Sequence, residues 1–305
     1  MISIGIGYPL TIEDHDIFLN ITVGISFEET ELLLPTANMA LKLAKKESKN
    51  IVFYSDEASL NEEYKNNLKW IQEIKDAILD DRIIMFFQPI MNNKTRTVTK
   101  YESLIRLIDK KGNIITPWHF LEIAKKAKLY KKLTKIVIRK SFEAFKDNTY
   151  DFSINLTIED ILDHNMNEYI FQMLQNYGIG ERVIFEIVES ESIKNFDTVE
   201  RFIKKVKSYG CRIAIDDFGT GYSNFEYLMK LQADFIKIDG SIIKSILNNK
   251  SSEVLTSVII SFAKEMNIKT IAEYVETKEI HEKLIEMGVN KSQGYYIDRP
   301  SADLH

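Results

Sequence analysis

Residues 182–218 read RVIFEIVESESIKNFDTVERFIKKVKSYGCRIAIDDF, and this stretch decides the fold class. It contains two short apolar runs, RVIFEIVE and CRIAIDDF, separated by a segment whose apolar residues recur at helical spacing. Strands that alternate with helices need crossover connections, and such strands lie mainly parallel in one sheet. The stretch therefore predicts one strand–helix–strand unit of an α/β protein.

The same alternation continues from residue 82 to the end of the chain. It predicts eight strands, at 83–90, 99–107, 151–157, 182–189, 211–218, 234–240, 268–276 and 289–297. Helical spacing predicts helices between most of them, at 118–129, 133–145, 158–177, 199–209, 253–266 and 280–287. Eight such units over about 220 residues fit a closed (β/α)8 barrel of the TIM type. An open doubly wound sheet is the alternative, although no glycine fingerprint for a dinucleotide follows the first strand.

The residues before the barrel have a different pattern of apolar and polar residues. Residues 1–55 hold two strand-like runs, ISIGIGY and IFLNITVGISF, followed by a helical segment and a closing strand, which together are too small for a domain. Residues 56–81 are polar with apolar positions at helical spacing, and they predict a connector helix. The predicted organisation is therefore a small α/β segment at 1–55, a connector at 56–81 and the barrel at 82–305.

Bulk composition limits the function classes. The chain has 305 residues and a formal net charge of −5, which argues against a protein that coats nucleic acid polymers. Its one cysteine, Cys211, excludes an internal disulfide and is interpreted as a core residue. No apolar run approaches the ~18 residues of a membrane span, so we expect a soluble, cytoplasmic chain, with membrane contact only through a region before residue 1.

Most of the predicted strands end in, or just beyond, polar residues that a packed core would not choose. These are Gln88, Asn155, Glu186, Glu189, Asp216, Asp217, Lys237, Asp239, Glu273, Glu276 and Gln293. A parallel barrel brings the carboxyl ends of its strands to one face, so the pattern predicts one polar mouth. Glu102 fits less well, because apolar residues follow it: either its strand enters the barrel differently or the glutamate lies deeper.

The predicted mouth points to hard divalent cations. Converging carboxylates repel one another by several kcal/mol unless protons or cations compensate. The set offers oxygen ligands and no Cys or His, which favours Mg²⁺ or Mn²⁺ over zinc or copper. The adjacent Asp216 and Asp217 suit two neighbouring ions, an arrangement that hydrolyses phosphodiesters.

Other residues near the predicted mouth have a functional and a structural interpretation. Gly219 and Gly221 permit a mobile flap or a plain tight turn. Lys237 alternates with Asp239 along its strand, and it either orients a nucleophilic water or forms a structural ion pair. Arg106 shares a strand face with Glu102 and could clamp a phosphate.

Eight motifs in order make the chain similar to a known family. They are FFQPI, YESLIRL, INLT, FEIVES, DDFGTGYS (216–223), FIKIDGSII, IAEYVET and QGYYIDRP. The stretch 82–300 resembles the EAL family of cyclic di-GMP phosphodiesterases. That resemblance implies a modified barrel with an antiparallel first strand, two Mg²⁺ or Mn²⁺ ions, hydrolysis of cyclic di-GMP to linear 5′-pGpG, and a homodimer near the flap loop.

The resemblance also implies roles for individual residues. Those that would hold metal are Glu102, Asn155, Glu186, Asp216 and Asp217. Those that would act in or support catalysis are Glu273 for water activation or the second ion, Lys237 beside the water, and Glu189, which anchors the flap loop. Those that would bind substrate or support the pocket are Gln88, Arg106, Asp239, Glu276 and Gln293.

Three departures from the family pattern adjoin these positions. Ser103 replaces the alanine of the EAL triplet, Val188 stands where threonine is frequent, and Tyr274 stands where glycine is commoner. The alternative functions are a non-catalytic cyclic di-GMP receptor of the EAL type and an unrelated barrel enzyme with another phosphorylated substrate. Degenerate receptors typically lack a metal carboxylate, and this chain keeps all of them.

Residues 1–55 resemble the end of a GGDEF diguanylate cyclase domain, in ITVGIS and TANMALKLAKKESKNIVFYS. The GG(D/E)EF turn is absent from the sequence, and Asn38 replaces the usual aspartate of the helix. The resemblance therefore implies a remnant that does not synthesise cyclic di-GMP.

Overall fold

The computed structural model describes residues 10–12, 15–17, 21–28, 33–54, 60–188, 196–219 and 225–304. The chain divides into two compact units, Met1–Glu73 and Ile74–His305. The predicted domain bounds at residues 55 and 81 stay a prediction.

The described part of the first unit contains short strands and the complete helix α1 (Leu33–Lys46). Strands β1 (Leu10–Ile12) and β2 (His15–Ile17) pair antiparallel, whereas β3 (Val23–Ile25) and β4 (Ile51–Phe53) pair parallel. Helix α1 (Leu33–Lys46) connects β3 to β4 and packs closely on β3, because a Cβ at Gly24 would lie 2.1 Å from the backbone nitrogen of Leu41. The predicted strand at 2–8 lies outside the described residues.

Helix α2 (Leu60–Leu79) leads into the second unit, in agreement with the predicted connector helix. The strands that follow are β5 (Ile83–Asn92), β6 (Thr97–Ile108), β7 (Ile114–Ile115), β8 (Asp151–Leu156), β9 (Val183–Val188), β10 (Arg212–Phe218), β11 (Phe235–Ile238), β12 (Lys269–Ala272) and β13 (Lys291–Gln293). The helices are α3 (Leu121–Lys126), α4 (Tyr130–Phe145), α5 (Ile158–Leu162), α6 (His164–Tyr177), α7 (Phe196–Lys207), α8 (Phe225–Lys230), α9 (Gly240–Lys244), α10 (Lys250–Glu265) and α11 (Lys278–Met287).

Eight of these strands form a closed barrel. Their order is β5, β13, β12, β11, β10, β9, β8, β6, and pairing of β5 with β6 closes the ring. The pairs from β6 round to β13 are parallel, whereas β5 is antiparallel to both of its neighbours. The predicted barrel is confirmed, including the antiparallel first strand, and the open sheet is wrong.

The hydrophobic core lies mainly between the barrel wall and the helices. Phe145 of α4 stacks on Phe152 of β8 with ring centroids 4.5 Å apart, and Phe142 meets the same ring edge-on at 5.5 Å. A smaller apolar cluster of Ile90, Ile184, Ala214, Phe235 and Ile271 adds one residue from each of five strands. Cys211 is buried and unpaired, which confirms its interpretation as a core residue.

The predicted helix at 158–177 is interrupted. Thr157 and Asp160 form a capping box at the start of α5, and Asp163 then accepts a hydrogen bond from the backbone of Met166, which caps α6. Side chains that cap a helix end compete with a continuous helix, so two helices replace one. Among the described residues, no helix is both long and apolar enough to cross a membrane.

Candidate active site

A cavity of about 520 Å³ opens at the carboxyl ends of the parallel strands. The predicted site residues that line it are Gln88, Glu102, Arg106, Asp216, Asp217, Lys237, Glu273, Glu276 and Gln293. Asn155 does not line it, but its amide contacts Glu102, and Glu186 contacts Lys237. Asp239 instead caps α9, accepting a hydrogen bond from the backbone of Ser241 at 2.8 Å. Glu189 and Gly221 lie outside the described residues.

Lys237 is the electrostatic centre of the site. Its side chain is only 1% exposed, and Nζ lies 2.7 Å from Oε2 of Glu186, 2.9 Å from Oδ1 of Asp216 and 2.9 Å from Oε1 of Glu273. Oε2 of Glu102 is farther away, at 3.4 Å. One ammonium therefore faces four carboxylates, which leaves the cluster with uncompensated negative charge.

Glu102 reaches this cluster because β6 continues past the mouth of the barrel. Gln88 of β5 is its partner in the antiparallel register, and the five residue pairs from Ser103 to Leu107 extend the β5–β6 hairpin beyond it. Glu102 accepts hydrogen bonds from Asn155 Nδ2 at 2.8 Å and Gln293 Nε2 at 2.6 Å. The apolar residues after Glu102 thus belong to the same strand. The glutamate lies deep in the mouth of the barrel, which is one of the two alternatives that the sequence left open.

Asp216 and Asp217 both face the cavity although they are adjacent in a strand. The register between β10 and β11 shifts between Ile215 and Phe218, and Asp217 has a left-handed φ of 55°. A bulge of this kind places successive side chains on one face. Ligand oxygens of Asp216, Asp217 and Glu273 consequently lie within 4.8 Å of one another. Gly219, with a φ of 105°, makes the turn that follows.

The pKa values of the carboxyls reflect the excess of negative charge. Burial raises the pKa of Glu186 to about 7; Lys237 opposes the shift, while Glu102 and Asp216 add to it. Burial also raises the pKa of Glu273 well above its usual range, and burial together with Asp216 raises that of Asp217 to about 6. The pKa of Glu102 is lowered, because Lys237 and the two amides outweigh the effect of burial.

The residues present fit a divalent cation. The buried Oε1 of Glu186 has no hydrogen-bond partner within the described part of the chain, so a hard oxygen donor is available there. Raised carboxyl pKa values mean that the cluster holds protons that a cation can replace. The donors are carboxylate and amide oxygens, which suits Mg²⁺ or Mn²⁺.

The cavity also contains residues that the polar pattern missed. Leu104, Tyr274, Tyr295 and Pro300 line it beside the acidic residues. Tyr274 follows Glu273 directly and was singled out in the sequence only as a departure from the family pattern. Tyr295, which also lines the cavity, lies in the QGYYIDRP motif, and that motif could have indicated it.

The fold and the cavity define a closed α/β barrel protein with a cluster of carboxylates at its mouth, and comparison with known proteins gives its family. The model of the EAL domain matches residues 71–300. The chain therefore belongs to the EAL domain family.

Named relatives and solved structures agree with this assignment. Cyclic di-GMP phosphodiesterase PdeB of Shewanella oneidensis is 31% identical over 303 residues, which cover 94% of this chain and 35% of PdeB. Cyclic di-GMP phosphodiesterase PdeA of Borreliella burgdorferi is 31% identical over 281 residues, 90% of this chain and 42% of PdeA. The chain thus spans less than half the length of these curated relatives. The crystal structure of the FimX EAL domain from Pseudomonas aeruginosa bound to c-di-GMP has a TM-score of 0.71 at 25% identity, over 77% of this chain and 97% of that domain.

Proposed function

We propose that this chain hydrolyses cyclic di-GMP to linear 5′-pGpG with Mg²⁺ or Mn²⁺. The observation that carries the proposal is the oxygen-donor set beside the cavity, in which four carboxylates contact the Lys237 ammonium and the Asn155 amide contacts one of them, Glu102. Relatives named cyclic di-GMP phosphodiesterase, each 31% identical, support this choice of substrate.

In this proposal the metal ligands are Glu102, Asn155, Glu186, Asp216 and Asp217, with Glu273 near the second position. A divalent cation bound there neutralises charge on the phosphate and makes a water acidic enough to act as a nucleophile. The trio of Asp216, Asp217 and Glu273 is compact enough for a second ion.

The remaining residues position substrate and protons. Lys237 holds its proton at Nζ, because the surrounding carboxylates raise its pKa well above the usual range despite burial. It is thus a permanent donor that can orient the attacking water beside Glu273. Arg106 lies in the same cavity and offers a guanidinium to a phosphate. Nε2 of Gln293 donates hydrogen bonds to Oε2 of Glu102 and Oε1 of Gln88, which fixes the positions of both side chains.

The proposed reaction opens one of the two phosphodiester bonds. The water oxygen bonds to phosphorus, the bond from phosphorus to the 3′ oxygen breaks, and that oxygen receives a proton. One water is consumed, and the product is linear 5′-pGpG.

Chromatography of cyclic di-GMP incubated with the chain and Mg²⁺ or Mn²⁺ tests the proposal. We expect conversion to 5′-pGpG, and Ca²⁺ should support binding with little turnover because its coordination is larger and looser. Tight binding with no product at high enzyme concentration would instead identify a receptor, the function class of the non-catalytic alternative.

The role of Glu102 can be tested separately. Glu102→Ala should lower turnover at least tenfold. The Glu102 carboxylate is a proposed metal ligand, and it also accepts hydrogen bonds from the side-chain amides of Asn155 and Gln293. Glu168→Ala, which removes an exposed carboxylate of α6, is the matched control and should leave turnover unchanged. A Glu102→Ala variant that keeps more than about a tenth of the wild-type rate would contradict the proposed role.

We further propose that residues 1–55 are the remnant of a GGDEF domain without cyclase activity. The β3–α1–β4 arrangement supports an α/β origin for this segment. Incubation with GTP and Mg²⁺ should yield no cyclic di-GMP, and any accumulation of that product would contradict the proposal.

A further inference from the structure

Tyr274 has an unusual backbone for its residue type. It directly follows Glu273 beyond the end of β12, and its φ is 50°. This left-handed conformation is natural for glycine but strained for a residue with a bulky side chain. Strained residues concentrate at functional sites, so the side chain of Tyr274 needs an explanation beyond the turn itself.

One side of the Tyr274 ring is covered by α9. A Cβ at Gly240 would lie 2.2 Å from Cδ2 of Tyr274, so the absence of a side chain at Gly240 makes room for the ring. Nζ of Lys244 lies 4.2 Å from the ring centroid. Gly240 and Lys244 are four residues apart on α9, and residues at this spacing share one face of a helix. Both therefore lie on the face of α9 that packs against Tyr274.

The part of the Tyr274 side chain that α9 leaves uncovered adjoins the cavity. Tyr274 lines the cavity together with Glu273 and Asp217, and 55% of the residue is exposed. Glu273 and Asp217 are carboxylates, which offer no flat face on which a base can stack. The ring is thus a flat aromatic surface, packed against α9, next to the acidic cluster.

We infer that Tyr274 is a specificity-determining residue, whose open ring face stacks on a guanine base of cyclic di-GMP. This inference rests on the proposed function, which places a phosphate of the substrate at the acidic cluster. A base attached to that nucleotide then falls beside the cluster, where Tyr274 offers the stacking surface. Stacking tolerates any purine, so this residue selects planar bases over other phosphate esters.

Binding of cyclic di-GMP measured calorimetrically in Ca²⁺ tests the inference without requiring turnover. Tyr274→Ala should weaken the Kd roughly 5- to 150-fold, the range that loss of one base–aromatic stack gives. Tyr274→Phe keeps the ring and should bind within about twofold of wild type. Tyr274→Leu keeps apolar bulk without a planar face and should weaken binding as Tyr274→Ala does, so either variant serves if the other fails to fold.

The matched control is Gln232→Ala. Gln232 is also exposed and also has a left-handed φ, of 49°, but it does not line the cavity. The Gln232→Ala variant should bind cyclic di-GMP with the same affinity as the wild type. The affinity of each variant for Mn²⁺ alone should also match wild type, because the inferred contact is with the base.

Nuclear magnetic resonance gives a readout that a purely structural role would not change. The H8 proton of a bound guanine should shift upfield in wild type and Tyr274→Phe, and this shift should disappear in Tyr274→Leu. Unchanged affinity of Tyr274→Ala, equal losses in Tyr274→Phe and Tyr274→Ala, or a parallel loss of Mn²⁺ affinity would each overturn the inference.

The outcomes separate this inference from the proposed function. Cyclic di-GMP that binds with the predicted ring dependence but is not cleaved overturns the hydrolysis and leaves the stacking role standing. Cleavage that is indifferent to Tyr274→Ala overturns the stacking role alone. A wild-type chain that does not bind cyclic di-GMP overturns both.

Discussion

Lys237 lies among four carboxylates in the interior of the protein. Loss of contact with water disfavours the charged form of every group in this cluster. Burial alone would lower the pKa of the lysine, yet Asp216, Glu102, Glu186 and Glu273 raise it well above the usual range. The Coulomb attraction therefore exceeds the desolvation penalty, and the ammonium holds the acids together. Without this cation, the carboxylates would need protons or metal ions to remain at these distances.

Replacing this lysine should destabilise the metal-free protein. Lys237→Met keeps the length of the side chain but leaves buried carboxylates unpaired, which typically costs about 3–5 kcal/mol of unfolding free energy. Urea denaturation in EDTA measures the effect. Lys264→Met, at an exposed position of α10, is the control and should change the free energy by no more than about 0.5 kcal/mol. Equal urea midpoints for the two variants would show that Lys237 does not hold the cluster together.

For individual residues, the sequence predicted which side chains converge but not the backbone geometry that brings them together. The polar ends of the strands indicated the acidic mouth, since the carboxyl ends of parallel strands meet at one face. The bulge that turns Asp216 and Asp217 to the same side depends on the pairing with β11, and no local pattern reports it. The place of Tyr274 was missed for a similar reason, because its orientation depends on the space left at Gly240 of another segment.

Helices α10 and α11 are joined by one carboxylate on the outside of the barrel. Oε1 of Glu253 lies 2.7 Å from Nζ of Lys283 on α11, and Oε2 lies 2.7 Å from Nζ of Lys250 on its own helix. Hydrogen bonds from these two lysines lower the pKa of Glu253 to about 2. The folded state therefore prefers the ionised carboxylate more strongly than the unfolded chain does.

The contacts of Glu253 with Lys250 and Lys283 should make a pH-dependent contribution to the stability of the fold. The folded pKa lies below the ordinary value of 4.5, so the stabilisation is complete above pH 4.5 and is lost as the pH falls toward 2. We expect wild type to be more stable than Glu253→Gln at pH 7, with the difference shrinking between pH 5 and pH 3. Urea midpoints of both proteins across this range measure it, and a difference that does not vary with pH would contradict the assignment.

The element pattern itself was largely predictable. All eight predicted barrel strands appear, and most of them are short apolar runs bounded by polar or turn residues. The break between α5 and α6 was not predicted, since apolar spacing continues across Asp163 and only the capping bond to Met166 shows the interruption. Periodicity thus identified the elements, whereas side-chain hydrogen bonds set their ends.

The polar cluster draws on the whole barrel. Residues in seven of the eight barrel strands contribute to it, namely Gln88, Glu102, Asn155, Glu186, Asp216, Lys237 and Gln293, and Glu273 directly follows the eighth strand, β12. Electrostatic repulsion between these side chains therefore acts between strands all round the barrel. A bound cation that reduces the repulsion stabilises the packing of every strand. A site of this kind links ion binding to the stability of the complete second unit.

Mn²⁺ should consequently raise the melting temperature of the barrel. A ligand that binds only the folded state at a concentration 100 times its Kd adds about 2.7 kcal/mol. For a domain of this size, each kcal/mol shifts the melting temperature by about 2–4 °C, so the expected rise is roughly 5–10 °C. Differential scanning calorimetry with Mn²⁺ and with EDTA measures the rise. Asp216→Asn, which removes a carboxylate from the centre of the oxygen trio, should abolish most of it, whereas Glu168→Ala should keep it. The same rise in all three proteins would mean that Mn²⁺ binds elsewhere and that the acidic cluster is not the cation site.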